Sequence, residues 1–194
     1  MTDLFDENKV KATDSTPQKR KNNPELLRHT LLIAAKDIML EDGIAQLSMQ
    51  KVATLAGVSK GGLFHHFKSK DDLISSVVSL FIAQLNTAII SQIADQNAFG
   101  VFTTAYVRVF FDDKNIGLGS QWSGLIKPIT AESSLRQQWQ QWLDNKLHQH
   151  HKTDSDDRLH LVRMAVDGVW LNGVSTHELP RLKEHLLCAI NSIK

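Results

Sequence analysis

The sequence predicts an all-α fold of eight or nine helices, with a small N-terminal three-helix domain and a larger C-terminal helical domain. Apolar residues recur at intervals of three and four through most of the chain, which is the spacing of one helix face. Ser, Asn and Gly stand at the ends of these segments, where helix caps are expected. No segment shows the alternation of Val, Ile or Thr with polar residues that is typical of a strand.

Composition narrows the class of protein. The chain has 194 residues, of which 42% are hydrophobic and 22% charged, so it contains enough apolar side chains for a core. The single cysteine, Cys188, excludes a disulfide within the chain. No uninterrupted apolar run approaches the roughly 20 residues of a membrane span, and the acidic N-terminus does not resemble a signal peptide. We therefore expect a cytoplasmic protein with no membrane partner.

Positive charge is concentrated in one segment. Residues 17–70 carry nine basic and four acidic side chains, whereas residues 1–16 and 71–194 each carry two more acidic than basic side chains. Such asymmetry favours a polyanion-binding module joined to a neutral or acidic remainder. An ordinary solvated basic face would give a similar excess, so the charge alone does not decide.

The first helix follows a polar segment. Residues 1–22 have little apolar content and are predicted to form a flexible tail. Asn23 provides a cap, Pro24 suits the first helical position, and Gly43 ends the apolar periodicity. The sequence therefore predicts a first helix between residues 24 and 42.

Three serines mark the next helices. Ser48 caps a second helix, Gly57 follows it, and Ser59 caps a short third helix over residues 60–67. Ser69 begins a long fourth helix, with an acidic residue three positions later as in a capping box. The fourth helix is predicted to reach about residue 93, and further helices are predicted at 98–111, around Pro128, and at 134–150, 154–174 and 179–193.

The stretch from Ser48 to Phe67, SMQKVATLAGVSKGGLFHHF, predicts a helix-turn-helix. The small Ala53 permits a close helix crossing, and Gly57 permits the left-handed backbone of a tight turn. Val58 and Leu63 are expected to fill the crossing point between the two helices. A simple helical hairpin with a glycine turn is the alternative, but the caps and the basic charge favour a helix that enters a DNA groove.

Residues 27–74 resemble the DNA-binding domain of the tetracycline-repressor (TetR) family of bacterial regulators. The run from Val52 to Ile74, VATLAGVSKGGLFHHFKSKDDLI, matches the usual family wording except that Phe64 replaces a more common Tyr. A DGVWL stretch at residues 167–171 is also similar to that of some members. The resemblance implies a DNA-binding domain at 23–70 and an effector-binding and dimerisation domain at 71–194.

The resemblance also implies which residues meet DNA. Lys60, Gly61 and Gly62 would approach base edges or backbone in the major groove, while Ser48 and Lys70 would contact phosphate. Phe64 lacks the Tyr hydroxyl and with it one phosphate hydrogen bond, while its ring could contact a thymine methyl group or a sugar. Because Gly61 and Gly62 have little side chain with which to read bases, Lys60, His65 and close backbone approach are expected to carry much of the recognition. The full predicted set is Ser48, Ser59, Lys60, Gly61, Gly62, Phe64, His65 and Lys70.

A short recognition helix reads few base pairs, so we expect a homodimer that reads a palindromic operator. The last two predicted helices carry apolar residues on two faces, which exceeds what one core needs unless both faces are internal. The predicted interface comprises Val162, Val166, Val169, Trp170, Leu182, Leu186 and Ile190.

The middle of the chain is rich in aromatic residues and is predicted to hold a pocket for an unknown small-molecule effector. The predicted lining comprises Phe102, Tyr106, Phe110, Trp122, Trp139 and Asp167. Binding of effector would favour a dimer whose recognition helices are wrongly spaced for DNA. The most direct interpretation is a ligand-released repressor, although an activator of the same fold or a non-specific architectural DNA-binding protein would share these features.

Other classes of site have weak support. The histidines at 148, 150, 151 and 160 are interpreted as a solvated helix end, and we predict no metal and no cofactor. A metal-responsive regulator, with carboxylates from Asp154 or Asp156, is the alternative. No phosphate-binding glycine loop or HExxH motif is present. Cys188 is expected to be an inert core thiol. The sequence therefore predicts that the protein is not an enzyme.

Overall fold

The computed structural model describes residues 23–192, so the predicted tail at 1–22 lies outside the described residues. Within that range there is no strand, and the predicted all-α fold is confirmed. The ten α-helices are α1 (Pro24–Glu41), α2 (Met49–Leu55), α3 (Lys60–His66), α4 (Lys70–Ser91), α5 (Val101–Asp112), α6 (Ile126–Ala131), α7 (Ser133–Gln149), α8 (His151–Asp154), α9 (Asp157–Asn172) and α10 (Leu179–Asn191). Short 3₁₀ turns occupy Ile44–Gln46 and Gln121–Leu125.

The helix number exceeds the predicted eight or nine because a single helical turn, α8, separates α7 from α9. His150 has φ −103° and ψ 22°, outside helical values, so α7 ends there. The next turn directs Asp154 into the protein, where its residue is 2% exposed. The sequence pattern around 150–154 contains no glycine or proline that would predict this break.

The predicted N-terminal caps are confirmed. The Asn23 side chain accepts from the backbone N–H of Glu25 and Leu26, and Ser48 accepts from Lys51. Ser69 accepts from Asp72, whose carboxylate accepts in turn from the backbone N–H of residue 68, one position earlier than in a capping box. Side-chain chemistry therefore fixes where α1, α2 and α4 begin.

The long helix α4 belongs to both parts of the molecule. It packs against α1 of the N-terminal part and against α5 and α7 of the C-terminal part. Its buried residues continue from Leu73 to Ile89, so one hydrophobic core runs through both parts. The predicted boundary at residue 70 is thus the start of a shared helix and not a linker.

By length and composition alone, α4 is apolar enough to cross a membrane. One such helix is weak support for a membrane span, because the core helix of a soluble protein passes the same test. Leu73, Val77, Phe81 and Leu85 are completely buried within the protein, and this packing accounts for the apolar composition of α4.

The C-terminal part is built around α5. Eight of its twelve residues are buried. Gly100 has no side chain to cap α5, and Asp154 of α8 does so instead, accepting from the backbone N–H of Phe102 at 3.1 Å and Thr103 at 2.8 Å. A carboxylate is favourable at a helix N-terminus, so α8 fixes the start of α5.

Candidate functional site

The turn between α2 and α3 has the predicted geometry. Gly57 has φ 68°, a left-handed conformation that a residue with a Cβ adopts only with strain. The backbone N–H of Gly57 donates to Thr54 at 3.1 Å, and that of Val58 donates to Ala53 at 3.0 Å. A Cβ on Gly57 would meet no atom within 4 Å, so backbone conformation alone requires glycine here.

The crossing of α2 and α3 is closely packed. Val52, Ala53 and Leu63 are completely buried, as is Phe67 just beyond α3. Val58 packs against this cluster with its side chain partly buried. Leu55, at the C-terminal end of α2, is 58% exposed. A face of α2 therefore remains apolar at the surface beside the turn.

The outer face of α3 is open. Lys60, Gly61 and His65 are exposed, and Phe64 is 42% exposed. The Lys60 ammonium lies 5.9 Å from the Phe64 ring centroid, within cation–π range. The exposed surface of α3 thus combines a cation, an aromatic ring and a histidine, and Gly61 has no side chain to obstruct an approaching molecule.

The remaining predicted contact residues flank this surface. Ser59 caps α3 by accepting from the N–H of Gly62, and a Cβ on Gly62 would lie 3.3 Å from the Ser59 hydroxyl. Gly62 is partly buried, so close packing against Ser59 accounts for its identity. Ser48 is exposed at the start of α2, and Lys70 is partly buried at the start of α4.

The position of α3 also depends on Arg28 of α1, which was not predicted as a functional residue. Arg28 of α1 donates to the His66 carbonyl at 2.8 Å and to the Ser76 hydroxyl at 3.3 Å. Its guanidinium lies 4.2 Å from the Phe67 ring centroid. Arg28 therefore joins the end of α3 to α4, a role that was hidden because the sequence counts it only as one more basic residue.

The predicted pocket aromatics form a packed cluster in the C-terminal domain. Phe102, Tyr106, Phe110, Trp122 and Trp139 are each at most 7% exposed. The Tyr106 and Phe110 ring centroids are 4.6 Å apart, and Phe81 of α4 packs against both tryptophans. The structure thus brings these residues together as side chains in mutual contact.

Asp167 joins this cluster through a hydrogen bond. The Tyr106 hydroxyl donates to Asp167 Oδ1 at 2.5 Å. Burial raises the pKa of Asp167 to about 6, against the lowering effect of the Tyr106 hydrogen bond and of the nearby Arg163 and His160. Burial, followed by the charge of Asp167, raises the pKa of Tyr106 well above its usual value.

A buried arginine and a buried carboxylate, joined through the Thr103 hydroxyl, lie next to this hydrogen bond and were not predicted from the sequence. Arg163 is 3% exposed, and its guanidinium donates at 2.6 Å to the Thr103 hydroxyl, which itself donates to Asp154 at 2.6 Å. Burial lowers the pKa of Arg163, while the charges of Asp154 and Asp167 favour its cationic form. The sequence feature that could have revealed this group is the position of Arg163 within an apolar stretch of α9. The helical period alone does not show whether Arg163 faces the core or the solvent.

Two clefts open beside the aromatic cluster. The distal cleft, lined by Asn86, Ile89, Ile90, Phe102, Lys146 and Lys152 among others, has a volume of about 550 Å³ at the C-terminal end of α4. Of the predicted pocket residues, Phe102 belongs to its lining. A second cleft of about 280 Å³ separates the 3₁₀ turn at Gln121–Leu125 from α9 and includes Trp170.

The predicted dimer residues require a correction. Val162, Val166, Trp170 and Ile190 are at most 6% exposed within the single protomer, so they form its core and not a partner surface. Val169, Leu182 and Leu186 are partly buried. Periodicity identified an apolar stripe correctly but did not show which of the two stripes faces inward.

The exposed apolar surface lies on the opposite face of α9. Leu161 is 64% exposed, Met164 56% and Leu171 44%. Cys188 of α10 is also exposed, contrary to its expected place in the core. The surplus apolar face inferred from the sequence therefore exists, but it consists of these residues.

In the N-terminal domain, α3 follows a glycine turn and has an exposed outer face. The long helix α4 joins this domain to an all-α C-terminal domain. These features define a two-domain helix-turn-helix regulator. Two family models match the chain. The model "Bacterial regulatory proteins, tetR family" covers residues 31–77, and "Tetracyclin repressor-like, C-terminal domain" covers residues 100–190. The chain belongs to the TetR family of helix-turn-helix transcriptional regulators.

Individual relatives agree with this assignment. The chain is 25% identical over 173 residues to the HTH-type transcriptional regulator BetI of Pectobacterium atrosepticum, covering 82% of this chain and 89% of BetI. It is 35% identical over 51 residues to the HTH-type transcriptional repressor BepR of Brucella suis, 26% of this chain and 24% of BepR.

A solved structure shows the same fold. The multidrug binding protein EbrR, in complex with malachite green, is 19% identical and superposes with a TM-score of 0.68 over 84% of this chain and 97% of EbrR.

Proposed function

We propose that this protein is a dimeric, sequence-specific repressor that leaves a palindromic DNA operator when a small-molecule effector binds its C-terminal domain. The observation that carries the proposal is the outer face of α3, where Lys60, Phe64 and His65 are exposed beyond the Gly57 turn. The protein would act in the cytoplasm and carry no enzymatic activity.

Contacts with DNA divide into two kinds. Lys60 and His65 supply donors for base edges, and Phe64 supplies an apolar surface for a thymine methyl group or a sugar. Ser48, Ser59 and Lys70 surround this surface and are suited to phosphate contacts that fix orientation. Gly61 and Gly62 permit the backbone of α3 to approach the duplex closely.

Dimerisation would use the exposed face of α9. Leu161, Met164 and Leu171 present large apolar side chains there, next to the partly buried Val169. Clustered apolar surface is typical of protein–protein interfaces. To read two half-sites one helical turn apart, such a dimer needs its two α3 helices about 34 Å apart.

A 3₁₀ turn provides a route from effector to α1. The Trp170 indole of α9 donates to the Ser123 carbonyl at 3.0 Å. On its other side the turn meets α1, since the Lys36 ammonium lies 5.7 Å from the Trp122 ring and a Cβ on Gly124 would contact Leu40 at 3.4 Å. A ligand that displaces Trp170 would therefore also move the support of α1.

The decisive experiment compares specific with non-specific DNA. Selection from random duplexes should yield a palindrome, and anisotropy titrations at fixed salt should show at least a 1,000-fold preference over shuffled DNA, as specific binders show about 10³–10⁷. Lys60→Ala should weaken operator binding, while Lys114→Ala, an exposed lysine beyond α5, serves as control. Equal affinity for both DNAs would instead support an architectural binder.

The dimer is tested separately by sedimentation. Met164→Glu should convert the protein to monomers at micromolar concentration, because a buried unpaired charge is costly at an interface. Leu26→Glu alters a comparably exposed leucine on α1, 63% exposed, and should leave the dimer intact. A dimeric Met164→Glu variant would place the interface elsewhere.

A further inference from the structure

The distal cleft has two chemically different halves. Its volume of about 550 Å³ lies within the roughly 300–1,000 Å³ of small-molecule sites. Ile89 and Phe102 form a buried apolar floor, and Ile90 lies at the cleft with 53% of its surface exposed. An isoleucine side chain that is half exposed within a concave site offers apolar surface that a ligand would cover.

The other half of the cleft is cationic. Lys146 of α7 and Lys152 of α8 belong to its lining, together with His150 and His151. Among the lining residues there is no Asp or Glu, and neither lysine forms a salt bridge within residues 23–192. The Lys146 ammonium donates a hydrogen bond to Gln149 Oε1 at 3.1 Å. Because this acceptor is neutral, the positive charge of Lys146 is not neutralised. The lining therefore presents uncompensated positive charge to a ligand.

One polar atom of the cleft lining, the Asn86 side-chain oxygen, has no hydrogen-bond partner among the described residues. This oxygen, Asn86 Oδ1, is buried. Buried side-chain oxygens nearly always have a partner. The oxygen and nitrogen of an Asn side chain exchange positions by a 180° rotation, so Asn86 offers a ligand either an acceptor or an N–H donor.

We propose that the distal cleft binds a small anionic amphiphile, with its carboxylate between Lys146 and Lys152 and its aliphatic or aromatic body on Ile89, Ile90 and Phe102. Charge-assisted hydrogen bonds from the lysines select the anion, and the apolar floor selects a hydrophobic body. A cationic amphiphile of the same length meets like charge and is excluded. This binding does not depend on the proposed release from DNA.

Calorimetric titration of the full chain with decanoate, decyltrimethylammonium and neutral decyl glucoside, each below its micelle-forming concentration, tests the proposal. Decanoate should bind with one site per protomer and at least roughly tenfold more tightly than the other two. Equal affinities for all three compounds, or no decanoate binding at millimolar concentration, would overturn the assignment. Binding to anionic vesicles without binding of free decanoate would likewise overturn it in favour of a membrane surface.

Matched variants locate the site. The double variant Lys146→Glu, Lys152→Glu should lose at least tenfold in decanoate affinity, whereas Lys114→Glu, Lys127→Glu makes the same charge change outside the cleft and should retain wild-type affinity. Ile90→Ser should weaken decanoate and decyl glucoside alike. Circular dichroism checks that each variant is folded. Equal losses of decanoate affinity in both double variants would show that net charge, and not the distal cleft, determines binding.

Operator binding is measured on the same samples. A loss of decanoate affinity with unchanged DNA affinity separates this cleft from the function proposed for α3. Conversely, decanoate binding by a chain that shows no DNA preference would support the cleft while contradicting the repressor.

Discussion

The two domains differ in where they place polar groups. Among residues 23–192, the four buried polar or charged side chains, Thr103, Ser120, Asp154 and Arg163, all belong to the C-terminal domain. The N-terminal domain keeps its polar groups at caps and on the surface of α3. Burial of polar groups costs free energy unless they are paired. The C-terminal domain pairs Thr103, Asp154 and Arg163 in its interior, whereas the N-terminal domain leaves its polar groups at the surface.

The largest expected effect concerns the buried carboxylate. Asp154→Ala would leave the buried Arg163 without the favourable charge of Asp154 and α5 without a cap, at a cost of about 3–5 kcal/mol in the free energy of unfolding. Urea denaturation measures this loss. Asp157→Ala removes an exposed carboxylate nearby and should lower the free energy of unfolding far less. Similar losses of stability in the two variants would contradict the stabilising role of the buried Asp154.

The pH dependence of stability tests Asp167. Its pKa of about 6 in the folded protein exceeds the unfolded value, so the folded state binds a proton more strongly and stability falls as pH rises from about 4 to 6. Asp167→Asn should abolish about 1–3 kcal/mol of this decline, since each pKa unit corresponds to about 1.4 kcal/mol. Denaturation at several pH values measures it, and an identical pH profile in Asp167→Asn would refute the assignment.

The glycine turn tests the N-terminal domain. Gly57→Val should lower stability by about 1–2 kcal/mol through left-handed strain and abolish specific DNA binding, since the position of α3 depends on the turn. Gly119→Val provides a control at a glycine with open space and no positive φ. Full operator affinity in Gly57→Val would show that the turn does not position α3.

The smallest expected effect concerns a phosphate contact. Lys70→Ala should weaken binding to all DNA and reduce the slope of log affinity against log salt by about 1. Anisotropy titrations over a range of salt concentrations measure the slope, with Lys114→Ala as control. An unchanged slope would move the phosphate contacts away from the start of α4.

The contrast between the domains also explains what the sequence could predict. The caps at Asn23, Ser48 and Ser69 and the turn at Gly57 are local interactions within a few residues, so they can be recognised along the chain. The role of Arg28 depends on His66 and Ser76, more than 35 residues away. Nothing local to Arg28 distinguishes it from a solvated base.

The C-terminal errors have the same origin. Two apolar stripes on α9 satisfy the helical period equally well, so only the packing of Val166 and Trp170 onto α4 and α5 identifies the inner one. The aromatic cluster was predicted as a group, but the polar atoms that enter it come from Asp154 and Arg163 on separate helices. Their proximity depends on the α8 turn, which has no sequence marker.

Arg28 links the end of α3 to α4 through its hydrogen bonds to the His66 carbonyl and the Ser76 hydroxyl. The 22 residues of α4 span about 33 Å. A tilt of roughly 5° about the cleft end of this helix would swing α3 by about 3 Å, close to the rise of one base pair. Side-chain movements too small to disturb the core of the C-terminal domain would thereby change which base edges α3 reaches.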